Sequence, residues 1–124
     1  MEITFTEREL DVMAVLWDLG TATVAEVQSR LPDQLAYTTV LTVLRTLEEK
    51  GYVTHRAEGR AYRYIPLVER ERAGASALKR MVRKMFGGRP ELVLTQLVSD
   101  RRLGEEDLRR LKAVLEERLA EEEK

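Results

Sequence analysis

Cysteine is absent from the 124 residues, so neither a disulfide framework nor a thiolate-bound zinc, copper or iron–sulfur site is available. Histidine is almost absent. His55 stands alone, with no second histidine beside it, which leaves imidazole-based metal binding or general-base chemistry almost no material. No apolar run approaches the ~20 residues of a membrane span, and the opening residues lack a charged-then-apolar signal pattern. A cytoplasmic location with no membrane contact is therefore the expectation. Also missing are a Gly-x-Ser-x-Gly elbow, a phosphate-cradling loop and a carboxylate pair set near a histidine. These absences predict a protein that is not an enzyme and holds no metal or cofactor.

What remains suits one compact domain, or a small domain with an appendage. Hydrophobic residues make up 44% of the chain, enough for a core, and charged residues 35%. The formal net charge of −1 argues mildly against nucleic acid as a partner, but the charge is unevenly spread. Between Val68 and Arg89 stand Arg70, Arg72, Lys79, Arg80, Arg83, Lys84 and Arg89 against only Glu69 and Glu71. The first helix carries Glu7, Glu9, Asp11 and Asp18. Segregation by face permits DNA binding at neutral net charge, so bulk charge leaves the matter open.

The first helix is announced by Thr6 with Glu9 three residues on, a capping box, and Leu10, Met13, Ala14 and Trp17 follow at helical spacing up to Gly20. Thr23 and Glu26 repeat the box ahead of Val24, Val27 and Leu31, and Pro32 closes that helix. A third helix is expected from Tyr37 to Lys50, burying Val40, Val43, Leu44 and Leu47. Tyr52–Ala57 and Ala61–Ile65, joined through Glu58, Gly59 and Arg60, have the β-branched and aromatic content of a hairpin. The rest is helical. One helix passes through Leu78, Met81, Val82, Met85 and Phe86 to a break at Gly87-Gly88, and a shorter one opens at Pro90. A last one begins at Glu105. The fold class is mainly α with a small β-hairpin: a winged helix-turn-helix domain over 1–67 and a helical dimerisation tail over 68–124.

In that architecture the third helix enters the major groove and the hairpin wing reaches along the backbone. The outward face of the third helix shows Thr38, Thr39, Leu41, Thr42, Arg45 and Thr46, where a merely solvated helix would carry Glu, Lys and Gln. Threonine hydroxyls bond phosphates or base edges, and Arg45 suits a phosphate or a two-pronged guanine contact. The alternative is a packing helix whose threonines touch protein. The wing offers Arg56, Arg60, Tyr62, Arg63 and Tyr64, with Arg60 at the tip best placed for phosphate. The tyrosines can equally pack beneath the hairpin. His55 reads as a plain strand residue.

The final helix sets Leu108, Leu111, Leu115 and Leu119 on one stripe, with Glu105–Arg109 and Glu106–Arg110 in the favourable acid-first order. Such a stripe needs a partner, either a second copy of the chain or Met81, Met85 and Leu94 of the same one. A homodimer is expected, with Met81 and Met85 joining its interface.

The stretches Glu9-Leu-Asp-Val-Met-Ala-Val-Leu-Trp17, Ala36-Tyr-Thr-Thr-Val-Leu-Thr-Val-Leu-Arg-Thr-Leu47 and Lys50-Gly-Tyr-Val53 closely resemble the penicillinase-repressor (BlaI/MecI/CopY) family. Gly59-Arg-Ala-Tyr-Arg-Tyr-Ile-Pro66 and Phe86-Gly-Gly88 extend the likeness over nearly the whole chain. The resemblance implies a homodimeric repressor on double-stranded inverted-repeat operators that dissociates on a signal. In β-lactam-responsive members a regulatory protease pathway cuts the tail. Counted from the double glycine, that Asn-Phe pair corresponds to Gln96-Leu97 here, a different dipeptide. The copper-responsive branch uses a C-terminal cysteine cluster, which this chain lacks. Positions that are Lys and Arg in the β-lactamase repressors correspond to Thr38 and Leu41. Two other readings stand beside this one: a winged-helix module that binds only protein, and ligand-gated regulation of the same fold. Steep salt dependence of duplex affinity separates the first of these from a DNA binder.

Overall fold

The computed structural model describes residues 2–124. Its elements run α1 (Glu7–Leu19), β1 (Ala22–Thr23), α2 (Val24–Arg30), α3 (Tyr37–Glu49), β2 (Val53–Glu58), β3 (Ala61–Pro66), α4 (Arg70–Met85), α5 (Pro90–Val98) and α6 (Glu105–Glu122). They divide into two compact units, the first reaching Lys79 and the second spanning Arg80–Lys124.

Both expected capping boxes form. Glu9 N–H donates to Thr6 Oγ1 at 3.1 Å and Glu9 Oε1 accepts from Thr6 N–H at 2.8 Å. Thr23 and Glu26 repeat the exchange at the start of α2. Amides that the first helical turn leaves unpaired are satisfied in this way. The core of the first unit gathers Val12, Met13 and Leu16 of α1, Val24 and Val27 of α2, and Val40, Leu44 and Leu47 of α3. Val53 and Tyr64 close it from the sheet. Leu10 falls outside: it is 47% exposed, and the buried side of α1 is instead Val12, Met13, Val15 and Leu16. Val43 is only partly buried.

The sheet has one strand more than the expected hairpin. Its order is β1-β3-β2, all antiparallel, with Ala22 opposite Tyr64 and Thr23 opposite Arg63. Two residues offer no alternation to detect, and Thr23 serves both as strand residue and as cap of α2. The hairpin turns on Gly59-Arg60, where Gly59 takes a φ of 61° that a Cβ would strain.

The chain leaving the wing is tied back to α1. Trp17 Nε1 donates to the Val68 carbonyl at 2.8 Å, and the Arg70 guanidinium lies 5.7 Å from the centre of the Trp17 ring and 2.5 Å from Asp18. Further along α4, Ala73 is buried, and Ile3 N–H donates to Ser76 Oγ at 3.1 Å. These contacts bring the first part of α4 into the first unit.

In the second unit, Gly87 and Gly88 at positive φ separate α4 from α5, as the double glycine suggests. Arg109 pairs with Glu105, but Arg110 pairs with Asp107 rather than Glu106. Asp107 also accepts from the Gly104 amide at 3.0 Å, so it stands where both partners reach it.

Every buried side-chain nitrogen and oxygen among the described residues has a hydrogen-bond partner. Among the described residues Glu9 is the one charged side chain in the core, 4% exposed, and Lys50 Nζ reaches its Oε1 at 2.8 Å. One carboxylate thus caps α1 and holds the far end of α3. Burial alone would raise its pKa, but the Lys50 bond and the Thr6 amide together outweigh that and leave it below the usual glutamate value. A depressed folded-state pKa stabilises the fold above the unfolded-state value and loses that contribution as pH falls through the folded one. Glu9→Gln, which can still cap, should lower unfolding free energy at pH 7 by about 1–3 kcal/mol. In urea titrations the gap to wild type should close at acid pH; an unchanged gap would refute this role for the carboxylate.

Candidate nucleic-acid interface

Because α3 buries Val40, Leu44 and Leu47, its other side is left open, and Thr38, Thr39, Thr42 and Arg45 are all exposed there. Thr46 is half-buried at the edge of that face. Thr42 Oγ1 donates to the Thr38 carbonyl at 2.9 Å and Thr46 Oγ1 to the Thr42 carbonyl at 3.0 Å. Those two hydroxyls use their protons inside the helix and offer only lone pairs outward, a match for base amino groups rather than phosphate oxygens. The Thr38 and Thr39 hydroxyls make no bond among the described residues, so each retains a proton to donate. Arg45 likewise makes no hydrogen bond or ion pair there.

The wing sorts its residues by face. Arg60 is exposed at the turn without a partner among the described residues, and Arg56 is exposed beside it. The tyrosines divide. Tyr64 is core at 1% exposed, whereas Tyr62 is 47% exposed with its ring centre 4.7 Å from that of His55. Arg63 sits elsewhere again: its Nε and Nη2 donate to Glu58 at 3.0 and 2.9 Å, and Nη1 donates to Thr21 Oγ1 at 3.2 Å. Nη1 also lies 3.2 Å from Glu26 Oε1. The structure therefore brings Thr38, Thr39, Thr42, Arg45 and Thr46 together on one helix and Arg60 to the turn, while Arg63 is engaged within the protein.

Glu26, Glu48, Glu58 and His55 went unnoticed in the sequence as organisers of this region. His55 Nδ1 lies 2.7 and 2.9 Å from the two Glu48 oxygens. Arg45, Glu48, Glu49, His55, Tyr62 and Tyr64 line an open groove of about 400 Å³ between helix and wing. One signal was available. With the turn taken as Gly59-Arg60, as the structure has it, rather than Glu58–Arg60, Arg56 falls opposite Arg63, and like charges directly opposed need an anion nearby, which Glu58 supplies.

In the second unit no residue of α5 or α6 is buried. Leu108, Leu115 and Leu119 are exposed and Leu111 is half-buried, while Met81 and Met85 of α4 are 43% and 72% exposed. Gln96 and Leu97 are exposed within α5.

Three helices, a short third strand and a hairpin wing, followed by a helical tail, define a winged helix-turn-helix protein. The penicillinase repressor family profile matches residues 5–117, and the chain belongs to that family, one of transcriptional repressors and not of enzymes. The penicillinase repressor of Bacillus licheniformis is 25% identical over 114 residues, which are 90% of this chain and 89% of that protein. The solution structure of the DNA-binding domain of the repressor BlaI is 30% identical with a TM-score of 0.50, covering 56% of this chain and 90% of that one. A MarR family protein from Bacillus stearothermophilus shares the fold at 19% identity and a TM-score of 0.58, over 98% of this chain and 78% of that one. Among the described residues no helix is long and apolar enough to cross a membrane.

The Arg63 cluster generates a prediction of its own. The Arg63 bond holds Glu58 below the usual glutamate pKa, whereas Glu26 is held low first by the Thr23 amide and only then by Arg63. In Arg63→Ala, carboxyl carbon NMR titration should show Glu58 moving up towards the ordinary glutamate value and Glu26 moving up by less. Equal shifts, or none, would contradict these assignments.

Proposed function

We propose that the chain acts in the cytoplasm as a homodimeric repressor on inverted-repeat duplex DNA, with α3 in the major groove and the hairpin on the adjacent backbone. Residues 1–67 make the contact and 68–124 the dimer. The observation that carries this reading is the open face of α3. Four exposed side chains there, Thr38, Thr39, Thr42 and Arg45, are short hydroxyls and one unpaired cation, a set that suits base edges and phosphates. Family membership and the likeness to the DNA-binding domain of BlaI support it. The net charge of −1 is no obstacle, because charge is divided by face: Asp11 and Asp18 of α1 are paired with Arg8 and Arg70, while Arg45 and Arg60 of helix and wing are unpaired.

The helical tail supports the dimer. Leu94, Leu97, Val98, Leu108, Val114, Leu115 and Leu119 are all at least 36% exposed in one chain, an apolar set that a partner surface can cover. A second copy covers such a surface and presents two recognition helices, raising affinity by ~10²–10⁴ without a new contact. Induction then acts on the tail, by a protease cutting at Gln96-Leu97 or by another signal that separates the copies. Because that pair lies within α5, the helix must open locally before a protease can bind it.

A footprint across genomic DNA tests the whole reading: one protected inverted repeat is expected, and no protection at low salt would overturn it. Arg45→Ala should weaken operator binding by about 1–3 kcal/mol and relax preference at one base pair. Arg60→Ala should weaken specific and random duplex alike and make the salt slope shallower by about one unit. If both variants bind as wild type does, the placement of helix and wing is wrong. Leu115→Lys should sediment as a monomer, keep weak half-site binding and lose the full-site advantage. A dimeric variant, or a monomer with undiminished full-site affinity, would remove the tail from this account.

A further inference from the structure

Simultaneous contact by helix and wing requires the two at one fixed angle, yet the sheet supports only the base of the hairpin. β1 pairs with Arg63 and Tyr64, leaving the segment from Glu58 to Ala61 beyond it. Two strands alone are marginally stable in water. We propose that two carboxylates, one from each helix of the helix-turn-helix pair, clamp opposite faces of the hairpin and hold the wing for DNA. These are Glu26 of α2 acting on Arg63 and Glu48 of α3 acting on His55. The inference rests on the DNA-binding reading above and assigns all four as positioning residues.

The register places the clamps. His55 is paired with Tyr64 and Arg56 with Arg63, and successive strand residues point to opposite faces. His55 therefore shares the α3-facing side with the buried Tyr64, and Arg63 takes the other side. On that other side, Glu26 Oε1 is 3.2 Å from Arg63 Nη1, while the rest of the same guanidinium grips Glu58, the last residue before the turn. Restraint on α2 is thereby passed to the wing tip. On the α3 side, both Glu48 oxygens lie within 2.9 Å of His55 Nδ1. A carboxylate accepts, so Nδ1 is the donor of this pair. The His55 ring rests against Tyr62 and Tyr64 at centroid distances of 4.7 and 5.3 Å, which carries the restraint across to β3.

Partly exposed pairs of this kind contribute little to global stability, so their loss should loosen the wing without unfolding the protein. The readout that separates positioning from bulk structure is the effect of Arg60→Ala in different backgrounds. With both clamps present, that substitution should weaken duplex binding roughly fivefold. In the His55→Ala/Glu26→Ala background, where Thr23 Oγ1 still accepts from the N–H of position 26 and caps α2, a mobile wing makes a weaker tip contact and the factor should fall below about twofold. His55→Gln keeps an N–H for Glu48 and should restore most of the fivefold effect. Amide relaxation of Gly59 and Arg60 in the DNA-free chain should show faster, wider motion in the clampless variant and near-native motion in His55→Gln. If the double variant fails to fold by circular dichroism, His55→Ala alone takes its place in both measurements. An Arg60 penalty equal in every background, or wing motion unchanged by clamp removal, would overturn the proposal. A wild-type chain that binds no duplex would refute the DNA reading instead, and the relaxation arm would still decide whether the clamps exist.

Discussion

A thirteen-residue helix has one face to bury, and α3 commits it to Val40, Leu44 and Leu47 against α1, α2 and Tyr64. The arrangement of the first unit follows from that burial. It fixes the rotation of α3 about its own axis, so Thr38, Thr39, Thr42 and Arg45 must face outward. Its far end is fixed by Glu9, a buried carboxylate whose other duty is to cap α1. Rotation set by the core and position set by an ion pair leave the exposed face little freedom.

The wing depends on the same helix at one remove. Tyr64 enters the core and anchors β3, while β2 is drawn to α3 through His55 and Glu48. Charge near the turn is divided by geometry rather than by composition. Arg63 is bound to Glu58 and Glu26, and Arg60, three residues earlier, is left for solvent or phosphate. Near the turn a near-neutral chain can thereby present a cationic edge, because Glu58 and Glu26 are bound to Arg63 while Arg60 is bound to neither.

Much of this was legible in residue order. Thr6 with Glu9, Thr23 with Glu26, the glycines at 59, 87 and 88, and the 3.6-residue recurrence in α3 are local signals, and the elements formed where they pointed. Short-range chemistry is what a linear sequence displays. Besides Val43, three features escaped it. β1 is two residues long and has no periodicity, Leu10 fits a helical stripe that the core does not use, and Arg110 chose Asp107 over Glu106. In each case the outcome turned on which neighbour lay closer in space.

The same division holds for the site. By itself the sequence determined that the third helix carries threonines and one arginine outward, that a basic turn follows, and that the tail has an apolar stripe. Local propensity and periodicity suffice for those statements. Only the tertiary structure decided that Arg63 is held within the protein while Arg45 and Arg60 are left unpaired. It alone decided that Tyr64 is core and Tyr62 rim, and that His55 bridges strand to helix. The polar outcomes depend on distances of 2.7 to 3.2 Å between residues five to forty-two positions apart, such as Arg63 with Glu58 and with Thr21 and His55 with Glu48. Such residues meet only where the packed core and the sheet register place them.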